Sequence, residues 1–218
     1  AFPTAKWKDE PYKQAYNNVM SSWNILRQKV DSASVVFALG EVVKVQAMHR
    51  VTDIYGPLPY TAFGKMSSGL PYDSQETVYR TFIKELDHAL KTLKAAYEAD
   101  SSAKPIADFD VVFDSDLEKW IRFANSLKLR LAMRIVYTDF TTDDGRTPQQ
   151  LAEEAVSSEL GVIEDNSGNA MYTGFGKDGN PFYVCFFSYK SGAGDHRVAA
   201  DIASFMNGYA DPRRASYF

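Results

Sequence analysis

The stretch Lys119-Trp120-Ile121-Arg122-Phe123-Ala124-Asn125-Ser126-Leu127-Lys128-Leu129-Arg130-Leu131-Ala132-Met133-Arg134-Ile135 decides the fold. At 100° per residue, Leu117, Ile121, Ala124, Leu131 and Ile135 line one apolar side, the stripe of a helix that packs on other helices. Lys119, Arg122, Arg130 and Arg134 share another face, which reads as a solvated basic face or as a partner-binding stripe. Lys128 breaks the pattern by projecting on the apolar side. An ammonium there must pair with a carboxylate or reach water at the end of its four-carbon stem. Glu41, Asp53 and Asp87 are the candidate partners, since their helices are expected beside this one.

Working outward, Ser115 and Glu118 form a capping box that starts this helix, which is placed at about 115–138. Upstream, Val78, Phe82, Leu86, Ala89, Leu93 and Tyr97 recur on one face, opposite Arg80, Lys84, Asp87 and Lys91. That pattern predicts a helix over about 74–98, with Asp73 and Glu76 as its start signal. Dense apolar positions from Val35 to Ile54 predict a helix over 34–55 buried on more than one side, stopped by Gly56-Pro57. Tyr12, Tyr16, Val19, Trp23, Leu26 and Val30 give a first helix over 10–30. Pro11 then falls in its first turn and residues 1–9 form a lead-in loop.

Downstream, Thr147, Pro148 and Gln150 supply an N-cap, an N1 proline and a capping box for a short helix. Gly161 reads as the C′ glycine after it. Residues 161–195 are loop-rich, with one buried strand expected at 182–189, and a last helix runs from Asp195 to about Asn207-Gly208. The expectation is a mainly α chain: helix pairs with long irregular loops and little β, forming one domain over 1–218. No strict 34-residue repeat occurs, so the stacking is degenerate.

Composition excludes several functions. The formal net charge of −4 gives no electrostatic case for nucleic acid. No run approaches the ~18 apolar residues a membrane helix requires. No signal segment opens the chain, so an exported protein would be present here in mature or trimmed form. The single cysteine, Cys185, lies in the apolar run Phe182-Tyr183-Val184-Cys185-Phe186-Phe187 and is expected to be buried and unreactive.

Catalytic and metal motifs fare poorly. Gly174-Phe175-Gly176-Lys177-Asp178-Gly179 matches G-x-G-x-x-G, but Asn180-Pro181 and a β-rich run follow where a helix should open, so a glycine loop is the better reading. His49, His88 and His196 have no metal-ligand spacing. G-x-S-x-G does not occur. Asp108, Asp110, Asp114 and Asp116 could offer hard oxygens to calcium, but the glycine and late glutamate of an EF-hand are missing, and acids suit a helix N-terminus. No catalytic residue, metal ligand or cofactor is assigned. The 13 Tyr, 14 Phe and 3 Trp leave another possibility. Trp7, Tyr60, Phe63 and Tyr72 sit in expected loops, with Tyr12 at the start of the first helix. Such rings either pin loops to the core or offer flat faces to a sugar. Trp7, Tyr12, Tyr60 and Tyr72 are the candidate carbohydrate-binding residues.

Several motifs together resemble one family. Leu39-Gly40-Glu41 begins a helix that runs into Thr52-Asp53-Ile54-Tyr55-Gly56-Pro57-Leu58-Pro59-Tyr60. Pro71-Tyr72-Asp73-Ser74-Gln75-Glu76 precedes Leu86-Asp87-x-Ala89. The Lys119–Ile135 stretch, Gly161-Val162-Ile163 before Asn169-Ala170, and Asp211-Pro212-Arg213-Arg214 complete the set. The pattern is similar to that of SusD-like proteins, the starch-binding proteins that associate with the outer membrane, and covers most of 35–218. The resemblance implies a lipid-anchored outer-membrane, cell-surface protein of Bacteroidetes-type bacteria with tetratricopeptide-like helix pairs. It implies binding of oligosaccharides or polysaccharides in polysaccharide utilisation, and docking on a SusC-like TonB-dependent transporter, without catalysis. A binder of peptides or other nutrients, or a scaffold that only docks the transporter, are the alternatives. The anchoring cysteine of the family has no counterpart, since Cys185 is internal, and members are usually about twice as long. The chain is therefore expected to be a segment of a longer protein.

Overall fold

A computed structural model of the chain describes residues 5–65, 69–172 and 198–217. The first helical stretch runs as α1 (Ala5–Gln14), a π-helical insert (Ala15–Met20) and α2 (Ser21–Lys29). Then come α3 (Val35–Tyr55), α4 (Gln75–Ala99), α5 (Leu117–Arg134) and α6 (Pro148–Val156). A 3₁₀ turn at Asn166–Gly168 precedes α7 (Ala200–Gly208) and α8 (Arg214–Tyr217). The described residues contain no strand, only one antiparallel bridge between Leu58 and Asp73. The chain is mainly α, as expected. The expected strand at 182–189, the 174–179 glycine motif, Cys185 and His196 lie outside the described residues.

Side-chain pairs fix how the helices run. Between α3 and α4, Gln75 Nε2 donates to the Thr52 carbonyl, Tyr79 to Asp53, Lys44 meets Glu85, and His88 meets Glu41. Numbers fall on one helix as they rise on the other, so the pair is antiparallel. Tyr97 with Glu118 and Lys128 with Asp87 make α4 and α5 antiparallel. Lys128 with Glu154 and Asn125 with Ser158 do the same for α5 and α6. This up-and-down stacking of amphipathic helices is reached across long connections, residues 56–74, 100–116 and 135–147. The shared core holds Val42, Val45, Met48, Phe82, Ile83, Leu86, Leu93, Ile121, Leu131 and Leu151, all fully buried. Each such side chain stabilises the fold by ~1.5–3 kcal/mol relative to exposure.

Helix starts differ instructively from the sequence reading. The first helix begins at Ala5, so the expected lead-in loop is helical and Pro11 sits inside α1. Proline removes one intrahelical donor, and elsewhere on the same helix the Lys8 carbonyl accepts from the Tyr55 hydroxyl. Ser74, not Asp73, caps α4 by accepting from the Thr77 N–H. Asp116, not Ser115, caps α5 through the Lys119 N–H, while the buried Ser115 hydroxyl accepts from the Ile106 N–H. The helix ends at Arg134, short of the expected 138. The Thr147–Gln150 capping box with Pro148 is present as expected. Gly161 has φ +66° but lies beyond the end of α6 and is not its C′ residue.

Two compact units divide the chain, Ala1–Met171 and Tyr172–Phe218. The first carries α1–α6. In the second, Phe205 and Tyr209 pack ring on ring 4.6 Å apart along α7, and Arg213 pairs with Asp211 at 2.5 Å ahead of α8.

Candidate functional site

The polar residues of α5 each tie down a different piece of chain. Trp120 Nε1 donates to Asp110 at 2.6 Å. Asp110 also accepts from the Val112, Phe113 and Ser115 N–H groups. Burial pushes its carboxyl up, but these four donors outweigh it and hold the pKa below the usual range. Asp114 pairs with Lys104 and Asp116 caps α5, so these members of the acidic cluster are committed to local structure. Among the described residues no three potential ligands gather for a metal. Asn125 donates to the Gly161 carbonyl and Ser158, and the Ser126 hydroxyl accepts from the Ile163 N–H. Arg134 meets Asp53 at 2.7 Å.

Lys128 is 5% exposed and lies 2.7 Å from Asp87 and 2.9 Å from Glu154. Arg146 bridges the same two carboxylates at 2.6 and 2.9 Å. The paired reading of Lys128 holds, with Asp87 as one of its expected partners. Glu41 and Asp53 have other partners, and Glu154 completes the knot.

An aromatic surface gathers where α1, the π-helical insert and the end of α3 meet. The π-helical insert buries Tyr16 and Met20 together. Tyr12 stacks on Tyr16 at 4.5 Å, meets Tyr55 edge-on at 5.5 Å, and Tyr16 packs against Phe63. Burial, with the neighbouring Tyr72 phenol, pushes the Tyr12 hydroxyl up to about 12. Tyr72 itself is 65% exposed. The loop between α3 and α4 carries Phe63 and Tyr72 of this set. Gly56 opens it with φ +74°, a conformation that favours glycine. Leu58 and Asp73 exchange backbone hydrogen bonds to close it, and the Asp73 carboxylate accepts from the Tyr60 and Thr61 N–H groups. Gly64, φ +71°, lets the loop approach α2 so closely that a Cβ would fall 2.1 Å from Asn24 Oδ1.

Of the candidate sugar-binding residues, Tyr12 and Tyr72 therefore meet at one surface. Trp7 lies on α1, and its side chain is outside the described residues. Tyr60 is not offered to solvent. It is 4% exposed, its hydroxyl donates to Glu85 at 2.6 Å, and its ring meets Phe82 edge-on. The exposed reading fails for Tyr60 because the Asp73 hydrogen bonds turn the loop inward at that residue.

Beneath Tyr60 is a second buried cation that the sequence reading passed over. Lys44, 3% exposed, lies 2.6 Å from Glu85, 3.9 Å over the Trp23 ring and 5.0 Å over the Tyr60 ring. Burial pulls its pKa down against the pull of Glu85. One turn away Glu41 accepts from His88 at 2.6 Å, and burial raises its carboxyl to about 7 despite that bond. The signal was available: Lys44 interrupts Val42-Val43-Lys44-Val45 as Lys128 interrupts its own stripe. Trp23, Phe37, Tyr60 and Phe63 with Lys44 border a cleft of about 410 Å³.

The described residues thus form an α-helical scaffold of antiparallel pairs with an aromatic surface and an adjoining cleft. The chain belongs to the SusD-like family, whose model, described as Susd and RagB outer membrane lipoprotein, matches residues 2–218. Solved structures agree. A SusD homologue from Bacteroides uniformis is 40% identical over 93% of this chain and 40% of its own, with a TM-score of 0.76. A chitin-binding SusD homologue from Flavobacterium johnsoniae is 35% identical over 94% and 41%, with a TM-score of 0.80. A homologue from Bacteroides ovatus is 33% identical over 98% and 41%, with a TM-score of 0.82. The chain spans about two-fifths of the length of these relatives. A comparison with curated proteins finds no match.

Proposed function

We propose that this chain is the helical part of a non-enzymatic, outer-membrane glycan-binding lipoprotein that passes oligosaccharides to a SusC-like TonB-dependent transporter. The observation that carries the reading is the family match over residues 2–218, with the family described as an outer membrane lipoprotein. A 35%-identical relative that binds chitin supports glycan as the ligand class. Among the described residues no helix is long and apolar enough to cross a membrane, which suits attachment through a lipid. The pairing of exposed Tyr72 with Tyr12 suits ligand contact, because the C–H face of a pyranose packs on a flat ring. Trp7 belongs to the same proposal.

The test uses the intact protein against starch, chitin, xylan and other polysaccharide fragments, read by calorimetry. At least one neutral or charged glycan should bind, and Tyr72→Ala should weaken it roughly 3–10-fold, the worth of one ring contact. Co-purification with the transporter without binding to any glycan would replace this reading with a pure docking scaffold.

A further inference from the structure

The cleft beside Tyr60 carries charge as well as rings. Five cations line it, Arg27, Lys44, Lys65, Arg80 and Lys84, against two acids, Glu85 and Asp143. Both acids are already engaged. Glu85 holds Lys44 at 2.6 Å, and Asp143 lies 3.5 Å from Arg80, which also pairs with Glu76. Arg27, Lys65 and Lys84 then face the cleft without a carboxylate partner among the described residues. Arg27 donates only to neutral oxygens, Asn24 Oδ1 and the Phe63 carbonyl, which hold its guanidinium in place. In a chain whose net charge is −4, three uncompensated cations at one concave site focus a local positive potential. The cleft has the volume of a small-ligand site, and Trp23, Phe37 and Phe63 supply half-buried aromatic wall.

Resting on the glycan-binding reading above, we infer that this cleft selects acidic saccharides, those bearing a carboxylate or a sulfate. Its rings take the apolar sugar face. Arg27, Lys65 and Lys84 supply charge-assisted hydrogen bonds to the anion, which a neutral sugar does not elicit. Carboxylate and sulfate share this chemistry, and the two are separated by experiment.

The intact protein is titrated with oligogalacturonate, alginate and chondroitin sulfate fragments, each beside its esterified or desulfated form. The acidic form should bind at least tenfold tighter than its neutral form, with an advantage that shrinks as salt rises. Whether the carboxylated or the sulfated series shows the larger ratio identifies the anion. The double variant Lys65→Gln, Lys84→Gln changes two exposed side chains that hold no partner among the described residues, so the fold is kept, and with Arg27 left alone the difference should shrink at least threefold. Neutral forms binding as tightly as acidic ones would overturn the inference while leaving glycan binding intact. A charge preference undiminished in the double variant would remove the site from this cleft. No binding of either form, with binding to another glycan in the wider series, would overturn the inference alone.

Discussion

Two buried lysines sit on neighbouring helices and are held by different physics. Lys128, in the α4–α5–α6 region, has two carboxylates, and Arg146 balances their second charge. Lys44, in the α2–α3–α4 region, has one carboxylate and the faces of two aromatic rings. Both cations are nearly inaccessible. The first arrangement is redundant, since each member touches at least two partners of opposite charge. The second is not, since Glu85 is the only ionic partner of Lys44 among the described residues. Redundant charge suits a region that fixes helix register. A singly paired cation under rings suits the wall of a cleft.

The largest effect should come from reversing the sign in the redundant knot. Lys128→Glu would place a third carboxylate against Asp87 and Glu154 in a 5%-exposed position. An unpaired buried charge costs about 3–5 kcal/mol, a large share of the ~5–15 kcal/mol that holds a domain folded. Urea unfolding should show that loss, or the variant should not fold. A loss below about 1 kcal/mol would mean that the knot is effectively solvated.

Truncation distinguishes the two lysines more finely. Lys128→Met leaves Arg146 bridging Asp87 and Glu154, so the expected cost is about 1–2 kcal/mol. Lys44→Met leaves Glu85 with only the Tyr60 hydroxyl, so about 2–4 kcal/mol is expected. Adding Glu85→Leu to Lys44→Met should recover part of that loss, because two apolar groups replace a charge left alone. Equal costs for the two single variants, measured by the same denaturant series, would break the comparison.

The difference also explains what the sequence disclosed. Lys128 announced itself as a charge inside an apolar stripe, and placing α3 and α4 beside α5 offered Glu41, Asp53 and Asp87, of which Asp87 is the partner. Glu154 did not follow, because the turn between α5 and α6 sets where it lands, and no periodicity describes a turn. Lys44 carried the same signal as Lys128 but lay in a helix so apolar all round that no single face stood out. For the caps, adjacent acceptors compete. Asp73 and Ser74 can each start a helix, and the loop's need for Asp73 at Tyr60 and Thr61 decides between them. Tyr60 looked exposed because it follows Pro59 in a loop, and only the closure of that loop turns it inward.

Acidity should separate the regions in opposite directions. Glu41, beside the cleft, faces His88, Glu85 and Lys44, and burial raises its carboxyl to about 7. The folded state therefore binds a proton that the unfolded state has released between pH ~4.5 and ~7, and stability falls as pH rises through that window. The fall should be on the order of 2 kcal/mol, and Glu41→Gln should remove it in melts compared at pH 5 and pH 8. Asp110, beside α5, is depressed, so its contribution is present at neutral pH and lost as pH falls through its folded value. Asp110→Asn should flatten the acid limb alone. Loss of both limbs in either variant would contradict the assignment of one limb to each region.

The smallest effect tests whether Tyr12 and Tyr72 form one surface. Tyr72 is 65% exposed, so Tyr72→Phe should change stability by no more than ~0.5 kcal/mol. The Tyr12 phenol should still respond. Its pKa is pushed up to about 12 first by burial and then by the Tyr72 hydroxyl, against a smaller opposing hydrogen bond from Tyr16. Removing the Tyr72 hydroxyl removes only the second cause. The Tyr12 pKa should move down yet stay above the ordinary tyrosine value, since the ring keeps its stack on Tyr16 and its edge contact with Tyr55. Ring-carbon NMR titration of the intact protein resolves this. An unchanged Tyr12 titration would separate the two rings, and with them the aromatic surface proposed for the sugar. A fall to the ordinary value would show instead that the ring is solvated and that the stack does not persist.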